Sequence, residues 1–510
     1  MKLKTKTRVA LCVAALSGTG ITASQVIASD IEPYSVPVSI KGEKQKDYFG
    51  MTMTTIGKFS DKDNGSHIAG EDIVITAPWG DGAKGIAYVI FGTSGGKPMQ
   101  QVNNVGEFDP QNALKIIHSN KANKPGSVTT KWMGVAVRKI GDINGDGYDD
   151  LVIASHWHDQ VYIIWGGPHH RTGARLSNQI DLNDIDNGDA RLGIRIRTVN
   201  SSGNANTGGW FGAAVGPTKY KNSAVANKMV DLAIGDIEGT GGRGTAYLVY
   251  GSSFNQGNLD IASLNSTQAT RIHGMGAAFL GGQSGGGEGS NDHSAYTQDK
   301  PNNGTITPLG NFLNAHANAF AISAPADMGI DKKRSGLVWI IKGKADGSKL
   351  PSSLFLDAAH TRLNYNKTFS VHDGYAIYAD RPGSKLAGFG NSILGNVDLN
   401  GDGKKDLVIG DPNAVNGSGT QVGAVYVING GKSLDDYADD EEGMININTL
   451  VREGVAKVYW GKNQYEKFGA SIAAGSFNGF TQDSLAIGSY RDNTWTGKVT
   501  FRIADYAIPD

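Results

Sequence analysis

The chain has 510 residues, of which 71 are glycine and 19 % are charged, with a formal net charge of −1. That balance excludes the basic face of a nucleic-acid binder, and no segment beyond the N-terminus is apolar enough for a membrane span. So much glycine without a Gly-X-Y period means many turns, and hence many short strands.

Residues 1–28 read as a signal peptide. Lys2, Lys4, Lys6 and Arg8 form a basic head, Val9 to Leu16 a short apolar core, and Val26-Ile27-Ala28 a small-residue cleavage site. The single cysteine, Cys12, lies inside this segment and follows Leu11, where a lipid-anchor signal has a small residue. Residues 29–510 therefore contain no disulfide. The expectation is an exported protein (periplasmic, secreted or held at the cell surface) that uses calcium where others use disulfides.

Residues 29–510 then repeat themselves. Phe49-Gly50, Met133-Gly134, Phe211-Gly212, Leu280-Gly281, Phe389-Gly390 and Phe468-Gly469 each open a unit, and their glycines lie 84, 78, 69, 109 and 79 residues apart. Each unit continues with an apolar run such as DIVITAP (72–78), DLVIAS (150–155), DLAIGD (231–236) or DLVIGDP (406–412). An alternating run follows, as in GIAYVIFG (85–92) or GAVYVING (423–430), and then a looser fourth, as in RLGIRIRTV (191–199) or VAKVYWG (455–461). Four short strands repeated at this period predict an all-β chain, a β-propeller of four-stranded blades. The chain ends after a third strand, and a strand near Tyr34 to Ile40 stands where a fourth belongs, so the two termini are expected to close the ring together.

The second and fifth units carry an acidic loop. Asp142, Asn144, Asp146 and Asp150 occupy positions 1, 3, 5 and 9, with Gly147 at position 6. Asp398, Asn400, Asp402 and Asp406 repeat the spacing. Calcium takes about six to eight oxygens, which alternate side chains of a tight loop supply, with the carbonyls of Tyr148 and Lys404 at position 7. An EF-hand or dockerin loop begins likewise, but needs a carboxylate at position 12, where Ile153 and Ile409 stand. Two calcium sites feeding into buried strands are expected. A related DKDNG (61–65) has the wrong register.

These Phe-Gly openings, DxNxDGxxD loops and Ala-Pro or Asp-Pro strand ends (Ala77-Pro78, Ala324-Pro325, Asp411-Pro412) resemble the FG-GAP repeat family, the N-terminal propeller of integrin α subunits. The family's propellers have seven blades and six repeats are countable here, so the blade number stands open between them. The resemblance implies that metal loops lie on one face of the disc and ligands on the other, where the connections between second and third strands gather. On that face the sequence places Trp79, His156, Trp157, His158, Arg243, Arg334, Arg491 and Trp495, with Tyr48, Trp132, Trp210 and Tyr465 at the approaches to the blades. Aromatic rings beside Arg, His and carboxylates suit sugars. The plainer alternative for Tyr48, Trp132 and Trp210 is packing between blades.

Residues 281–304, GGQSGGGEGSNDHSAYTQDKPNNG, form a Gly/Ser/Asn-rich insertion, a surface excursion or a lid. The densest chemistry is SHWHD (155–159). His156 and His158 alternate about Trp157, and with a tyrosine and an arginine they are the equipment for β-elimination on a uronic-acid polysaccharide. One such cluster is little for an enzyme. The expected function is a calcium-binding recognition or adhesion module for an extracellular glycan, polysaccharide or surface protein; the alternative is a polysaccharide lyase using His156 and His158.

Overall fold

The computed structural model describes residues 42–44, 49, 53–60, 72–91, 105–108, 112–119, 133–155, 159–167, 179–198, 211–218, 231–236, 244–274, 306–313, 319–325, 334–343, 349–356, 373–380, 388–438, 443–475, 484–489 and 498–502. The expected signal peptide, closing strand near 34–40 and insertion 281–304 lie outside them. The fold is all-β. No described helix is long and apolar enough to cross a membrane.

Six sheets follow one another along the chain, each an antiparallel meander. Sheet I begins with Met53–Gly57, Asp72–Ala77, Ile86–Ile90 and Ala113–Ile117. Sheet II begins with Met133–Gly141, Asp150–Ser155, Gln160–Ile164 and Gly193–Arg197. Sheet III uses Phe211–Thr218, Asp231–Asp236, Thr245–Val249 and Ala269–Gly274. Sheet IV uses Ile306–Gly310, Ala319–Ala324, Arg334–Ile341 and Gly374–Asp380. Sheet V has Ser392–Val397, Asp406–Asp411, Ala424–Ile428 and Ala456–Trp460, and sheet VI has Phe468–Gly475, Ser484–Ser489 and Lys498–Arg502. The second strands of sheets II to V are rich in apolar residues because they are buried on both faces, as in DLVIAS and DLVIGD.

The core consists of layers between successive sheets. Val74, Val89 and Ile116 of sheet I meet Val137, Ile153 and Tyr162 of sheet II. Leu309, Val338 and Ile377 of sheet IV meet Ile393, Ile409 and Tyr426 of sheet V. The first strand of each sheet packs against the first strand of the next, in chain order from Met53–Gly57 to Phe468–Gly475. This arrangement is compatible with a β-propeller.

A fifth strand in sheets I to IV was not legible in the sequence. Gln179–Asp181, Leu259–Asp260, Ser353–Leu356 and Met444–Asn446 each leave the connection between a sheet's third and fourth strands and pair, in parallel, with the fourth strand of the preceding sheet. Each strap occupies backbone donors and acceptors on a sheet edge that would otherwise template aggregation. Its end is fastened by side chains. Asp181 accepts from Asn183 N at 3.0 Å and Ser119 N at 2.9 Å, and Arg197 grips Asp260 at 2.5 and 3.2 Å.

Candidate metal loops and the seams between sheets

The two acidic loops join first to second strands in sheets II and V and have the same internal bonding. Asp142 accepts from the N–H groups of Gly145 (2.6 Å), Asp146 (3.0 Å) and Gly147 (2.8 Å), as Asp398 does from Gly401 (2.7 Å) and Gly403 (3.0 Å). Asn144 and Asn400 accept from the N–H of Asp146 and Asp402. Asp146 and Asp402 accept from the N–H of Tyr148 and Lys404. Glycines at positions 4 and 6 are all left-handed: Gly145 (φ 81), Gly147 (φ 91), Gly401 (φ 76) and Gly403 (φ 80). The carboxylates turn inward onto the loop backbone, and among the described residues no three His, Cys, Asp or Glu side chains converge on one point as a metal cage.

Position 9 has a second task. Asp150 accepts from Ile143 N and Gly166 N at 2.8 and 2.9 Å, and Asp406 from Leu399 N and Gly430 N at 2.8 and 3.0 Å. Each carboxylate thus ties the acidic loop to the end of the third strand. In units without an intact acidic ladder, Asp231 makes the third-strand half of this tie, receiving Gly251 N at 2.9 Å, and Asp72 makes the loop half, receiving Ser60 N at 2.7 Å. Burial pushes Asp150 up to about 8, with the charges of Asp146 and Asp142 adding to it against the two backbone hydrogen bonds. Asp406 is pushed up to about 6 by burial, with Asp402 and Asp398 adding to it. Oxygen donors with mutually repelling negative charge fit a hard cation.

Each loop docks on the preceding sheet. Asp149 accepts from Lys58 N at 2.8 Å and pairs with Lys139 at 3.1 Å, while Gly167 N donates to Phe59 O at 2.7 Å. In the other copy Asn311 accepts from Lys405 N at 2.9 Å and donates to Gly403 O at 3.1 Å, while Gly431 N donates to Phe312 O at 2.8 Å. Loop order and inter-sheet packing are therefore coupled.

The Phe-Gly step is the seam between sheets at their opposite end. Phe211, Phe389 and Phe468 are buried, and Phe211 and Phe389 meet Tyr247 and Tyr426 of their own third strands edge to face at 5.8 and 5.6 Å. The glycines that follow are left-handed, at φ 87, 86 and 85, and lie against the preceding sheet. A Cβ on Gly212 would stand 2.8 Å from Val161 Cγ2, one on Gly390 2.9 Å from Val338 Cγ2, and one on Gly469 3.0 Å from Val425 Cγ2.

Of the expected ligand residues, Trp79 is half-buried before the turn Gly80–Ala83 of sheet I. The backbone of Arg334 opens the third strand of sheet IV, opposite Asp380. His156, Trp157, His158, Arg243, Arg491 and Trp495 lie outside the described residues, as do Tyr48, Trp132 and Trp210.

Asp411, at the same end of sheet V, is buried and accepts from Ser335 Oγ and Asn413 N, each at 2.9 Å. Burial pushes its carboxyl up to about 6, against these hydrogen bonds and the charge of Lys467. The folded chain thus holds this proton more tightly than the unfolded one. The associated stability is full below the unfolded value of about 4, and is lost as pH rises through about 6. Melting curves across this window should show a slope on the order of 2 kcal/mol that Asp411→Asn removes. An unchanged slope in the variant would assign it to other groups.

An all-β chain of repeated sheets whose seams are Phe-Gly steps, with acidic loops at the other end, defines a class of repeat protein. The family model of the FG-GAP repeat matches residues 389–428, the first three strands of sheet V with their acidic loop, so this stretch is similar to an FG-GAP repeat. No curated protein matches the chain.

Proposed function

We propose that this chain is a calcium-loaded β-propeller, exported from the cell, that serves as a recognition or adhesion module for an extracellular glycan or surface protein. In this reading the six sheets are blades, and the N-terminal strand supplies the fourth strand that sheet VI lacks among the described residues. The observation that carries it is the acidic loop built twice with one hydrogen-bond pattern, each copy docked on the preceding sheet. Asp142, Asn144, Asp146 and Asp150, with the carbonyl of Tyr148, would hold one cation. Asp398, Asn400, Asp402 and Asp406, with the carbonyl of Lys404, would hold the other. Calcium supplies charge neutralisation there, and the chain supplies the oxygens and the docked frame.

Extracellular modules bind calcium at about 10⁻⁴ to 10⁻³ M. Calcium at 10 mM should then stabilise the fold by about 1.4–2.7 kcal/mol per site, raising the melting temperature. Asp146→Ala and Asp402→Ala should each remove part of that gain, and melting curves indifferent to calcium and chelator would remove the metal from this account. Recognition itself is tested by size-exclusion chromatography of the mature chain with a panel of polysaccharides in calcium. Co-elution with an intact polymer supports a binding module. A shortened polymer would instead make the chain an enzyme and turn attention to His156 and His158.

A further inference from the structure

Among the described residues, two large apolar side chains stay in water: Trp460, 37 % exposed, and Tyr465, 52 % exposed. Trp460 ends the fourth strand of sheet V, and Tyr465 lies on the segment crossing to sheet VI. The other large aromatics among the described residues are half-buried, as is Trp79, or buried, as are Tyr162, Tyr250, Phe211 and Phe389.

The crossing segment is held firmly. Gly461 N donates to Gly423 O at 3.0 Å, and Tyr465 N to Gln421 O at 2.7 Å. The buried Glu466 carboxylate accepts from Lys462 N and, at 3.1 Å, from Asn463 N. Lys467 is buried and its Nζ donates to Asn413 Oδ1. Tyr465 and Lys467 both have left-handed backbones, at φ 61 and 62, where a side chain is strained. Strain retained next to exposed aromatic rings is a mark of a site kept for binding.

The neighbouring turn, residues 413–421, joins the second and third strands of sheet V and has no charged side chain. It is built from amides and hydroxyls. Asn416 Oδ1 accepts from Ser418 Oγ at 2.7 Å and Thr420 N at 3.0 Å, and Gln421 Nε2 donates to Asn413 Oδ1 at 3.0 Å. Across residues 461–467 the charged groups of Glu466 and Lys467 turn inward, and Lys462 is the one charge in water.

We propose that Trp460 and Tyr465 form a platform for a neutral oligosaccharide. Sugar rings stack their C–H faces on the indole and phenol, and their hydroxyls bond to the amide and hydroxyl side chains of residues 413–421. Both aromatics have few rotatable bonds and sit on a braced segment, so little freedom is lost on binding. Among the described residues of these two segments Lys462 is the one exposed cation, which favours neutral sugars over uronic acids. This inference rests on the recognition-module reading and names its ligand class.

Calorimetric titration of the mature chain, in calcium, with cellohexaose, maltohexaose and chitohexaose tests it. At least one should bind, and Trp460→Ala should weaken that binding by about tenfold or more. Tyr465→Gly should weaken it similarly without lowering the melting temperature, because glycine accepts this backbone without strain. A merely structural role for Tyr465 would give the reverse. Equal binding by the double variant overturns the site while leaving the recognition reading intact. Failure of all three sugars to bind, with another polymer or a protein still captured, overturns the ligand class alone. Capture of nothing by the wild-type chain overturns both readings.

Discussion

Gly390→Ala is expected to destabilise the protein by about 4 kcal/mol. Two effects add. The backbone at φ 86 is left-handed, which costs a side chain roughly 1–2 kcal/mol. The added Cβ would also stand 2.9 Å from Val338 Cγ2 and 3.0 Å from Ser323 Cβ, an overpacking worth roughly 1–3 kcal/mol. Those atoms belong to the buried second and third strands of sheet IV and have no space into which to retreat. Gly403→Ala separates the two effects, because Gly403 is equally left-handed (φ 80) but has nothing within 4 Å of a Cβ. It should cost only the conformational part, about 1–2 kcal/mol. Chemical denaturation of both variants is the measurement. Equal losses would mean that the Phe-Gly glycine serves backbone conformation alone and not the seam between sheets.

His118→Ala is expected to cost about 3 kcal/mol, through a polar network buried between sheets I and II. His118 Nε2 lies 3.1 Å from Tyr162 Oη and 3.2 Å from Asp186 Oδ2. Asp186 also receives Tyr162 Oη and Arg195 Nη1, each at 3.0 Å. Burial by itself would push the Asp186 carboxyl up, but hydrogen bonds and charge from His118 and Arg195 outweigh it and hold the carboxyl below its usual value. Burial and the adjacent Asp186 charge push the Tyr162 hydroxyl well up, so it remains a neutral donor. Since the folded carboxyl is the stronger acid, its contribution is complete above the unfolded value of about 4, and is lost as pH falls through the lowered folded value. His118→Ala should therefore both lower stability at neutral pH and flatten its decline in acid. A loss of stability with the acid decline unchanged would reduce His118 to a packing residue.

Local patterns were legible and long-range ones were not. The acidic loops could be read because their oxygens come from one nonapeptide, as with Asp142 to Asp150, and the second strands because DLVIAS and DLVIGD are buried on both faces. The looser fourth strands at 193–197 and 456–460 also stand where the repeats put them. The straps were hidden because Gln179–Asp181 and Leu259–Asp260 are too short for a period, and their partners belong to the preceding sheet. The network of His118, Tyr162, Asp186 and Arg195 spans two repeats, so no spacing announces it. Phe-Gly could be recognised as a motif, but its physical reason, a left-handed residue pressed on a neighbouring sheet, needed the packing. Position 9 was legible as part of the acidic spacing, while its staple to Gly166 or Gly430 was not. Tyr465 stood among the expected ligand residues, whereas Trp460, in the run VAKVYWG, resembles a strand residue in the sequence until burial shows it left in water.

The central claim, that calcium in the acidic loops holds the sheets together, is tested most directly by counting bound calcium in equilibrium dialysis of the purified chain. One ion is expected for each acidic loop, one of them lost in Asp146→Ala, the other in Asp402→Ala, and both in the double variant. A wild-type chain that retains no calcium, or a double variant that retains as much as wild type, would contradict it.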